Sequence, residues 1–191
     1  MIKTGIYGGS FNPIHNAHIA LARQIMERAQ LDEIWFVVSP QNPLKASGTL
    51  LDDSLRLDMV RRAVAPYGGL VASDYEFHMP RPSYMWHTLQ SMERSYADRQ
   101  FTLIIGADNW TCFDRWYHAS DIVARYPIVI YPREGCTIDT ATLPPAVRLV
   151  DTPLYNLSST EIRDDVRAGR DIGHKVPACI ADDVRRLYGQ R

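Results

Sequence analysis

The sequence lacks the features that mark several specialised protein classes. Its only cysteines are Cys112, Cys136 and Cys179, which lie far apart and form no CxxC pair. Their spacing argues against a disulfide scaffold and a structural zinc site, and it fits a reducing, cytoplasmic environment. No run of about 18 apolar residues occurs, so we expect no transmembrane helix. The first residues lead directly into a strand-like segment, so we also expect no secretory signal.

The sequence also lacks an excess of positive or negative charge. Lys and Arg total 21 against 22 Asp and Glu, for a net charge of −1. This balance does not indicate a basic nucleic-acid-binding surface, and it excludes an acidic disordered chain. Apolar residues make up 46% of the 191 residues and charged residues 23%, as in ordinary globular proteins. No repeat or linker interrupts the pattern, so we predict a single domain over residues 1–191.

Two common phosphate-binding patterns are absent. The chain contains no GxxxxGK(S/T) motif, and Gly5, Gly8 and Gly9 do not form GxGxxG. The sequence therefore supports neither a Walker-type loop nor a dinucleotide-binding fingerprint.

Short apolar runs alternate with segments of helical periodicity. Strands are predicted over residues 2–7, 34–38, 70–73, 101–105, 128–131 and 147–150. Helices are predicted over residues 17–30, 53–65, 83–96, 158–168 and 178–188. Residues 41–51 read as a loop, with Asp52 or Asp53 as a helix N-cap. This alternation predicts a Rossmann-like, doubly wound α/β fold, with a mainly parallel sheet, helices on both faces and a helical C-terminal segment.

In such a fold, ligands bind beyond the carboxyl ends of the strands. We therefore expect four segments to converge there: residues 8–18, 39–45, 106–108 and 156–163. The first reads Gly-Gly-Ser-Phe-Asn-Pro-Ile-His-Asn-Ala-His. The glycine pair lets the backbone approach a ligand closely, and the helix that begins near His15 offers free N–H groups to an anion.

His15 and His18 are three residues apart, so they share one face of the first helical turn. Imidazoles placed there can donate hydrogen bonds to phosphate oxygens. Two alternatives stay open for these residues alone. The segment can be a simple strand-to-helix turn with surface histidines. It can also be part of a metal site, but such a site would need a third ligand that the spacing does not offer.

The segment 156–163 reads Asn-Leu-Ser-Ser-Thr-Glu-Ile-Arg. Ser158 and Glu161 fit the capping box that begins a helix. The helix N-terminus, the hydroxyls of Ser159 and Thr160 and the guanidinium of Arg163 can together hold β- and γ-phosphates. The alternative is an ordinary capped helix with a solvated arginine.

Both segments resemble signatures of the HxGH nucleotidyltransferase superfamily. Residues 8–18 resemble GG(S/T)FDPIHxGH, with Asn12 in place of Asp and Ala17 in place of Gly, and residues 156–163 resemble ISSTxIR. The resemblance implies that the two histidines contact a triphosphate and stabilise the transition state of nucleotidyl transfer.

Three middle segments are similar to the bacterial nicotinate-nucleotide adenylyltransferases. Residues 104–117 resemble IIGAD…W(Y/H), residues 82–89 resemble PSYTxxTL with Met85 and His87 as departures, and residues 40–45 resemble PxxPxK. The resemblance implies that the Gly-Ala-Asp turn contacts adenosine and that Trp116 stacks on a pyridine ring. It also implies that Tyr117 offers its backbone N–H to the nicotinate carboxylate and that Lys45 meets phosphate.

The activity implied is the joining of ATP and nicotinate mononucleotide to nicotinate adenine dinucleotide and pyrophosphate, a step of NAD biosynthesis. The implied catalytic residues are His15, His18, Lys45 and Arg163. The implied ATP-binding residues are Gly8, Gly9, Ser10, Phe11, His15, His18, Gly106, Asp108, Ser158, Ser159, Thr160 and Arg163. The implied contacts to nicotinate mononucleotide are Lys45, Ser83, Tyr84, Thr88, Trp116 and Tyr117.

The partners implied are small molecules, with no nucleic acid and no membrane. Mg²⁺ is expected to enter with ATP, bound by phosphates and waters and not by a protein metal site. Two other readings stay open: a related transferase with another acceptor, such as nicotinamide mononucleotide, phosphopantetheine or a phospho-alcohol, and a non-catalytic nucleotide-binding module. The sequence leaves the oligomeric state open.

Overall fold

A computed structural model describes residues 1–40 and 50–189. Its single six-stranded sheet contains β1 (Ile2–Gly9), β2 (Glu33–Val38), β3 (Leu70–Ser73), β4 (Arg99–Gly106), β5 (Ile128–Tyr131) and β6 (Val147–Leu149). The strand order is β3-β2-β1-β4-β5-β6, and every adjacent pair is parallel. The continuous apolar runs of β2, β4 and β5 suit strands that helices cover on both faces.

Seven α-helices connect and cover these strands within the described residues. They are α1 (Asn16–Arg28), α2 (Asp53–Val64), α3 (Met85–Ser95), α4 (Ala107–Trp110), α5 (Ala119–Arg125), α6 (Ser159–Arg167) and α7 (Ala181–Gly189). Short 3₁₀ helices occupy Tyr75–His78, Phe113–Arg115, Thr140–Thr142 and Ala178–Ile180. None of the helices described is long and apolar enough to cross a membrane.

The core forms one hydrophobic cluster on each face of the sheet, because side chains alternate along each strand. On one face, Phe36 and Ile104 pack with residues of α1, α2, α6 and α7. On the other, Val37 and Leu103 pack with residues of α3, α4 and α5. The predicted doubly wound α/β fold is therefore confirmed, and all the described strand pairs are parallel rather than most of them.

Several predicted boundaries were wrong. The first strand does not stop at Tyr7, because Gly8 and Gly9 continue the ladder opposite Val37 and Val38. The helix predicted over 178–188 is a 3₁₀ turn followed by α7. The helix predicted from residue 83 begins at Met85, and the last strand ends at Leu149. Of the loop predicted over 41–51, only the last two residues lie within the described part of the chain.

The strand order places the switch point between β1 and β4, the two strands from which the chain winds in opposite directions. At this position the loops that follow the strands separate and leave a crevice for ligands. The carboxyl ends of β1 and β4 are Gly9 and Gly106, so the two predicted glycine-containing turns flank this crevice.

Candidate functional site

Two adjoining clefts open at the carboxyl ends of the strands. The central cleft has a volume of about 280 Å³. It is lined by residues 7–10, 83–85, 103–106, 108–109 and 115–117 together with Ser39, Glu76 and Tyr131. The neighbouring cleft, of about 290 Å³, is lined by Leu21, residues 131–134, residues 154–158 and Glu161. Tyr131 lines both clefts, so they meet at its side chain. The expected convergence of the strand ends is therefore observed for every expected segment that the structure describes.

The first loop is held in an unusual backbone conformation. Phe11 has a φ of 42°, in the left-handed region that non-glycine residues rarely adopt, yet its side chain is buried. A Cβ on Gly9 would lie 3.0 Å from the Phe11 ring, so a larger residue there would require the ring to shift. The ring centroid of Phe11 lies 5.2 Å from that of His18 in an edge-on contact. The loop therefore shapes the surface on which His18 rests.

A buried arginine fixes this loop from below. Arg56, on α2, is fully buried, and its guanidinium donates to the carbonyl oxygens of Ser10, Ser39 and Leu51. It also pairs with Asp53. Arg56 thus ties the loop after β1 to the end of β2 and to the start of α2. The carboxylate of Asp52 accepts from the backbone N–H of Ser54, which confirms it as the N-cap of α2.

The two histidines lie where the sequence predicts them. His15 is the N-cap of α1 and His18 is in its first turn, and their rings stack with centroids 3.6 Å apart. The backbone N–H of His15 donates to Nδ1 of His18 over 3.3 Å. A neutral imidazole that accepts at Nδ1 carries its proton on Nε2, so His18 presents an N–H donor there. The His18 ring contacts Tyr7 of the central cleft, with centroids 6.1 Å apart.

His15 is held in its neutral form. Burial, together with a smaller contribution from the positive charge of Arg133, lowers the pKa of the His15 imidazole to about 3. An imidazole with so low a pKa stays uncharged at neutral pH, so it can donate a hydrogen bond but carries no positive charge of its own. The positive charge at this point of the site comes from Arg133.

This shift predicts a loss of stability in acid. Because the imidazole titrates near 6.5 when unfolded and near 3 when folded, the unfolded chain binds more protons between those values. Stability therefore falls as pH drops below about 6.5. We expect the difference in unfolding free energy between pH 7.5 and pH 5.0 to be about 2 kcal/mol larger in the native protein than in His15→Gln. Urea unfolding at the two pH values measures it.

The matched control is His174→Gln, because the His174 side chain is 70% exposed. This variant should keep the pH dependence of the native protein. An equal pH dependence in His15→Gln and the native protein would contradict the assignment of a neutral buried imidazole.

Helix α6 begins at the N-cap Ser158, whose side chain accepts from the backbone N–H of Glu161. This confirms the predicted helix start, but only half of the capping box forms. The Glu161 carboxylate pairs with Lys175 instead of reaching back to the N-cap backbone. This happens because Lys175, from the segment after α6, is a charge-assisted and therefore stronger partner for the carboxylate.

The side chains predicted to grip phosphate on α6 also bind the first loop. Oγ of Ser159 donates to the carbonyl of Pro13 over 2.9 Å, and Arg163 donates to the carbonyl of Asn12 over 2.7 Å. A second nitrogen of Arg163 donates to the hydroxyl of Thr160 over 3.1 Å. The two signatures at opposite ends of the chain are therefore joined directly, and α6 positions the loop that carries the histidines.

Asn12, the departure from the superfamily signature, has a structural role. Its Oδ1 accepts from the hydroxyl of Tyr188 over 2.7 Å and from the backbone N–H of Leu51 over 3.2 Å, and the side chain is buried. A neutral amide can accept both bonds without burying a charge. Asn12 thus connects the first loop to α7 and to the start of α2. Ala17, the other departure, is buried in α1.

The predicted acceptor residues line the central cleft. Trp116, Tyr117, Ser83 and Tyr84 all border it, while Thr88 lies just behind and is buried. The Tyr84 and Tyr117 rings pack against each other with centroids 4.9 Å apart. Within the described residues, the indole Nε1 of Trp116 is buried without a hydrogen-bond partner. This wall is largely aromatic, as is common in sites that bind flat heteroaromatic rings.

Gly106 and Asp108 border the same cleft beneath the junction with the neighbouring cleft. A Cβ on Gly106 would lie 2.3 Å from a carboxylate oxygen of Asp108 and 3.1 Å from the Arg133 side chain, so both side chains would have to move to accommodate it. Asp108 lies 3.6 Å from the guanidinium of Arg133.

The sequence interpretation missed three residues of the site: Arg133, Arg56 and Glu76. Arg133 follows directly after β5 and could have been found by applying the strand-end rule to that strand as well. Arg56 lies on a helix among exposed charges, and only the tertiary contacts reveal it. Glu76 is discussed below. Lys45 lies outside the described residues, so its predicted role stays a prediction.

Among residues 1–40 and 50–189, no group of three or more His, Cys, Asp or Glu side chains is arranged to hold a metal ion. Asp108 is the carboxylate at the junction of the clefts, and it faces Arg133. A cation entering here would therefore need ligands from a bound phosphate chain and from water.

Comparison with known proteins identifies the family to which the chain belongs. A model of the cytidylyltransferase-like family matches residues 6–165. A "Probable nicotinate-nucleotide adenylyltransferase" of Bacteroides thetaiotaomicron is 50% identical over 189 residues, which are 99% of this chain and 94% of the relative. A Bacteroides fragilis protein of the same description is 49% identical over 170 residues, 89% of this chain and 85% of the relative.

Solved structures show the same fold. The nicotinic acid mononucleotide adenylyltransferase of Plasmodium falciparum, complexed with NaAD, aligns with a TM-score of 0.83 at 22% identity, over 98% of both chains. The same protein complexed with APC aligns with a TM-score of 0.82.

Proposed function

The chain belongs to the cytidylyltransferase-like family, within the group of nicotinate-nucleotide adenylyltransferases, and from this premise we propose that it joins ATP and nicotinate mononucleotide. The products are nicotinate adenine dinucleotide and pyrophosphate. The observation that carries the proposal is the pair of clefts that meet at Tyr131, whose ring packs against Tyr7, which in turn contacts the stacked histidines. A dinucleotide-forming enzyme needs two nucleotide subsites that adjoin at the reacting phosphates. The Plasmodium falciparum enzyme, whose structure is a complex with NaAD, has the same fold.

The reaction needs no side-chain nucleophile, because the acceptor's phosphate monoester is already an anion. One of its oxygens forms a bond to the α-phosphorus of ATP. The bond from that phosphorus to the bridging oxygen breaks, and pyrophosphate leaves with the electron pair. Catalysis then consists of positioning and charge stabilisation. Mg²⁺ bound to the ATP phosphates would neutralise part of their negative charge. Gly8, Gly9 and Ser10 would leave room beside the backbone for the phosphate chain.

Each group of residues takes a part in this proposal. His15 and His18 donate to the α-phosphate region, and Arg163 and Ser159 hold the start of α6 against the first loop. Trp116 stacks on the acceptor ring, and the backbone N–H of Tyr117, which has no acceptor among the described residues, meets the nicotinate carboxylate. A single domain over residues 1–191 and a cytoplasmic location are parts of the same proposal.

The test is a pyrophosphate-release assay with ATP and Mg²⁺ and three acceptors offered separately: nicotinate mononucleotide, nicotinamide mononucleotide and phosphopantetheine. The proposal expects nicotinate mononucleotide to give the highest kcat/KM. Equal rates with the first two would remove the acid specificity. ATP binding without pyrophosphate release from any acceptor would favour a non-catalytic module.

Arg133 is expected to contribute charge at the junction of the clefts. It lines the neighbouring cleft, lies 3.6 Å from Asp108 and acts electrostatically on His15. A charge-assisted hydrogen bond to phosphate contributes about 1.5–3 kcal/mol, which corresponds to about 10- to 150-fold in rate. Arg133→Gln should therefore lower kcat/KM for adenylyl transfer by about that factor. Steady-state kinetics at saturating Mg²⁺ measures it.

The matched control is Arg125→Gln. Arg125 ends α5 just before β5 begins, away from the carboxyl ends of the strands, and pairs with Glu93 on the surface. Its kcat/KM should stay within about twofold of the native value, because the interaction of an exposed pair is small. Equal effects in the two variants would show that Arg133 acts only through general charge or stability.

A further inference from the structure

A carboxylate lies buried in the wall of the central cleft. Glu76, in the 3₁₀ helix Tyr75–His78, is only 3% exposed. Its Oε2 accepts from the hydroxyls of Ser39 and Ser83, each over 2.9 Å, and its Oε1 accepts from the hydroxyl of Thr88 over 2.8 Å. The carboxylate is therefore well hydrogen-bonded, but all three donors are neutral.

No described cation pairs with this carboxylate. The ion pairs of the described residues include none to Glu76, although nearby Arg61 and Arg81 pair with Asp74 and Asp53. Arg56 is linked to Glu76 through Ser39, but its own charge is matched by Asp53. A buried carboxylate without a counter-charge is unfavourable, and proteins rarely keep one unless it is paired or functional.

The ligand proposed for this cleft supplies the missing charge. This step rests on the proposed function: the acceptor is a pyridine ribonucleotide, and its ring nitrogen is quaternised by the bond to ribose. The ring is therefore a cation, whereas the phosphate and the nicotinate carboxylate are anions. A buried negative charge beside the aromatic wall would attract the ring, since the interaction of opposite charges strengthens away from water.

We propose that Glu76 is the counter-charge for the cationic pyridinium ring of the acceptor, and that it selects a charged ring over a neutral ring of the same shape. Its role is specificity, not proton transfer. Two groups in the same cleft would recognise the ring: the fixed carboxylate of Glu76 and the indole of Trp116. Stacking on an indole also favours a cation, so the two residues act in the same direction.

The proposal also changes the role of the predicted hydroxyl contacts. Each hydroxyl has one proton, and Ser83 and Thr88 direct theirs at Glu76. They then have no proton left to donate to the nicotinate carboxylate. Ser83 and Thr88 are therefore positioning residues that hold Glu76 in place, and the acceptor's carboxylate must find its donors elsewhere in the cleft, such as the N–H of Tyr117.

The test compares two ligands that differ in ring charge. Nicotinate mononucleotide has a cationic ring, and its 1,4-dihydro form has a neutral ring with the same phosphate, ribose and carboxylate. Isothermal titration in mildly alkaline buffer gives Kd for each. The native protein should bind the cationic form more tightly by about tenfold or more. In Glu76→Gln, which keeps the shape and removes the charge, the preference should fall to within about threefold, while Kd for the neutral form changes little.

Ser83→Ala is the matched control, because it removes one hydrogen bond to Glu76 and keeps the charge. It should retain most of the ring-charge preference. If Glu76→Gln keeps the native preference, stacking on Trp116 accounts for it and the proposal is overturned. The absence of any preference in the native protein would overturn it equally, and that comparison requires no variant to fold.

The outcomes also separate this inference from the proposed function. No pyrophosphate release from ATP and nicotinate mononucleotide would refute the proposed function itself. Normal release by the native protein, together with an unchanged ring-charge preference in Glu76→Gln, would refute only the role of Glu76.

Discussion

Replacement of His18 by alanine is expected to lower kcat for adenylyl transfer by about 100- to 1000-fold, the usual loss when one donor to a developing negative charge is removed. The physical reason is the direction of its proton. Nδ1 of His18 accepts from the backbone of His15, so Nε2 carries the proton and can donate to a phosphate oxygen. KM for ATP should change far less, because the bond strengthens as charge develops in the transition state. Pyrophosphate release under saturating substrates measures kcat.

His174→Ala is the control, since its side chain is 70% exposed and its nearest charged partner is the exposed Asp171. It should retain native kcat. A kcat for His18→Ala within threefold of native, in a protein whose circular dichroism is unchanged, would exclude a transition-state role for this residue. A rise in KM with unchanged kcat would instead assign His18 to ground-state binding.

The stacked histidines show how far a local pattern can predict a site. The i, i+3 spacing placed His15 and His18 on one face of a helical turn, and their rings do lie 3.6 Å apart. Their protonation could not be predicted from the segment. The pKa of His15 depends on burial beneath the rest of the fold and on Arg133, which follows β5, two strands away from β1. Long-range contacts set both.

For the fold, too, the local sequence predicted some features and long-range contacts determined others. Alternating strands and helices predicted the doubly wound sheet, because apolar runs of strand length suit a parallel sheet that is covered on both faces. Helices α4 and α5 were missed because four and seven residues are too few for a helical period to be visible. The break before α7 was also hidden, since Pro177 precedes a 3₁₀ turn whose residues carry no distinguishing pattern.

The two terminal signatures illustrate a contact that only tertiary structure reveals. The sequence predicts that Ser159 and Arg163 face phosphate, and the structure shows both donating to carbonyls of the first loop. Arg163 has further donors, so holding the loop does not exclude phosphate contact. What the contacts add is a mechanical link: α6 fixes the loop through Pro13 and Asn12, while α7 fixes Asn12 through Tyr188.

The largest expected effect on stability comes from Arg56, the buried residue that supports this loop. Its guanidinium satisfies the carbonyls of Ser10, Ser39 and Leu51 and pairs with Asp53. Arg56→Leu would leave the three carbonyls without their donor and Asp53 with Arg81 as its remaining partner. Because each buried acceptor left without a hydrogen bond costs about 1–3 kcal/mol, the total is about 3–5 kcal/mol. We expect a reduction of that size in the free energy of unfolding, measured by urea denaturation at pH 7.5.

Arg61→Leu, on the same helix, is the matched control. The Arg61 side chain is 56% exposed, and its pair with Asp74 lies on the surface. Loss of such a pair should change the free energy of unfolding by less than about 1 kcal/mol. If the two variants were equally stable, Arg56 would not support the loop as its contacts indicate. Arg56 also contacts Ser10, which lies in the loop that carries His15 and His18. If Arg56→Leu is destabilised as expected, its kcat below the unfolding temperature will show how far the geometry of the two histidines depends on Arg56.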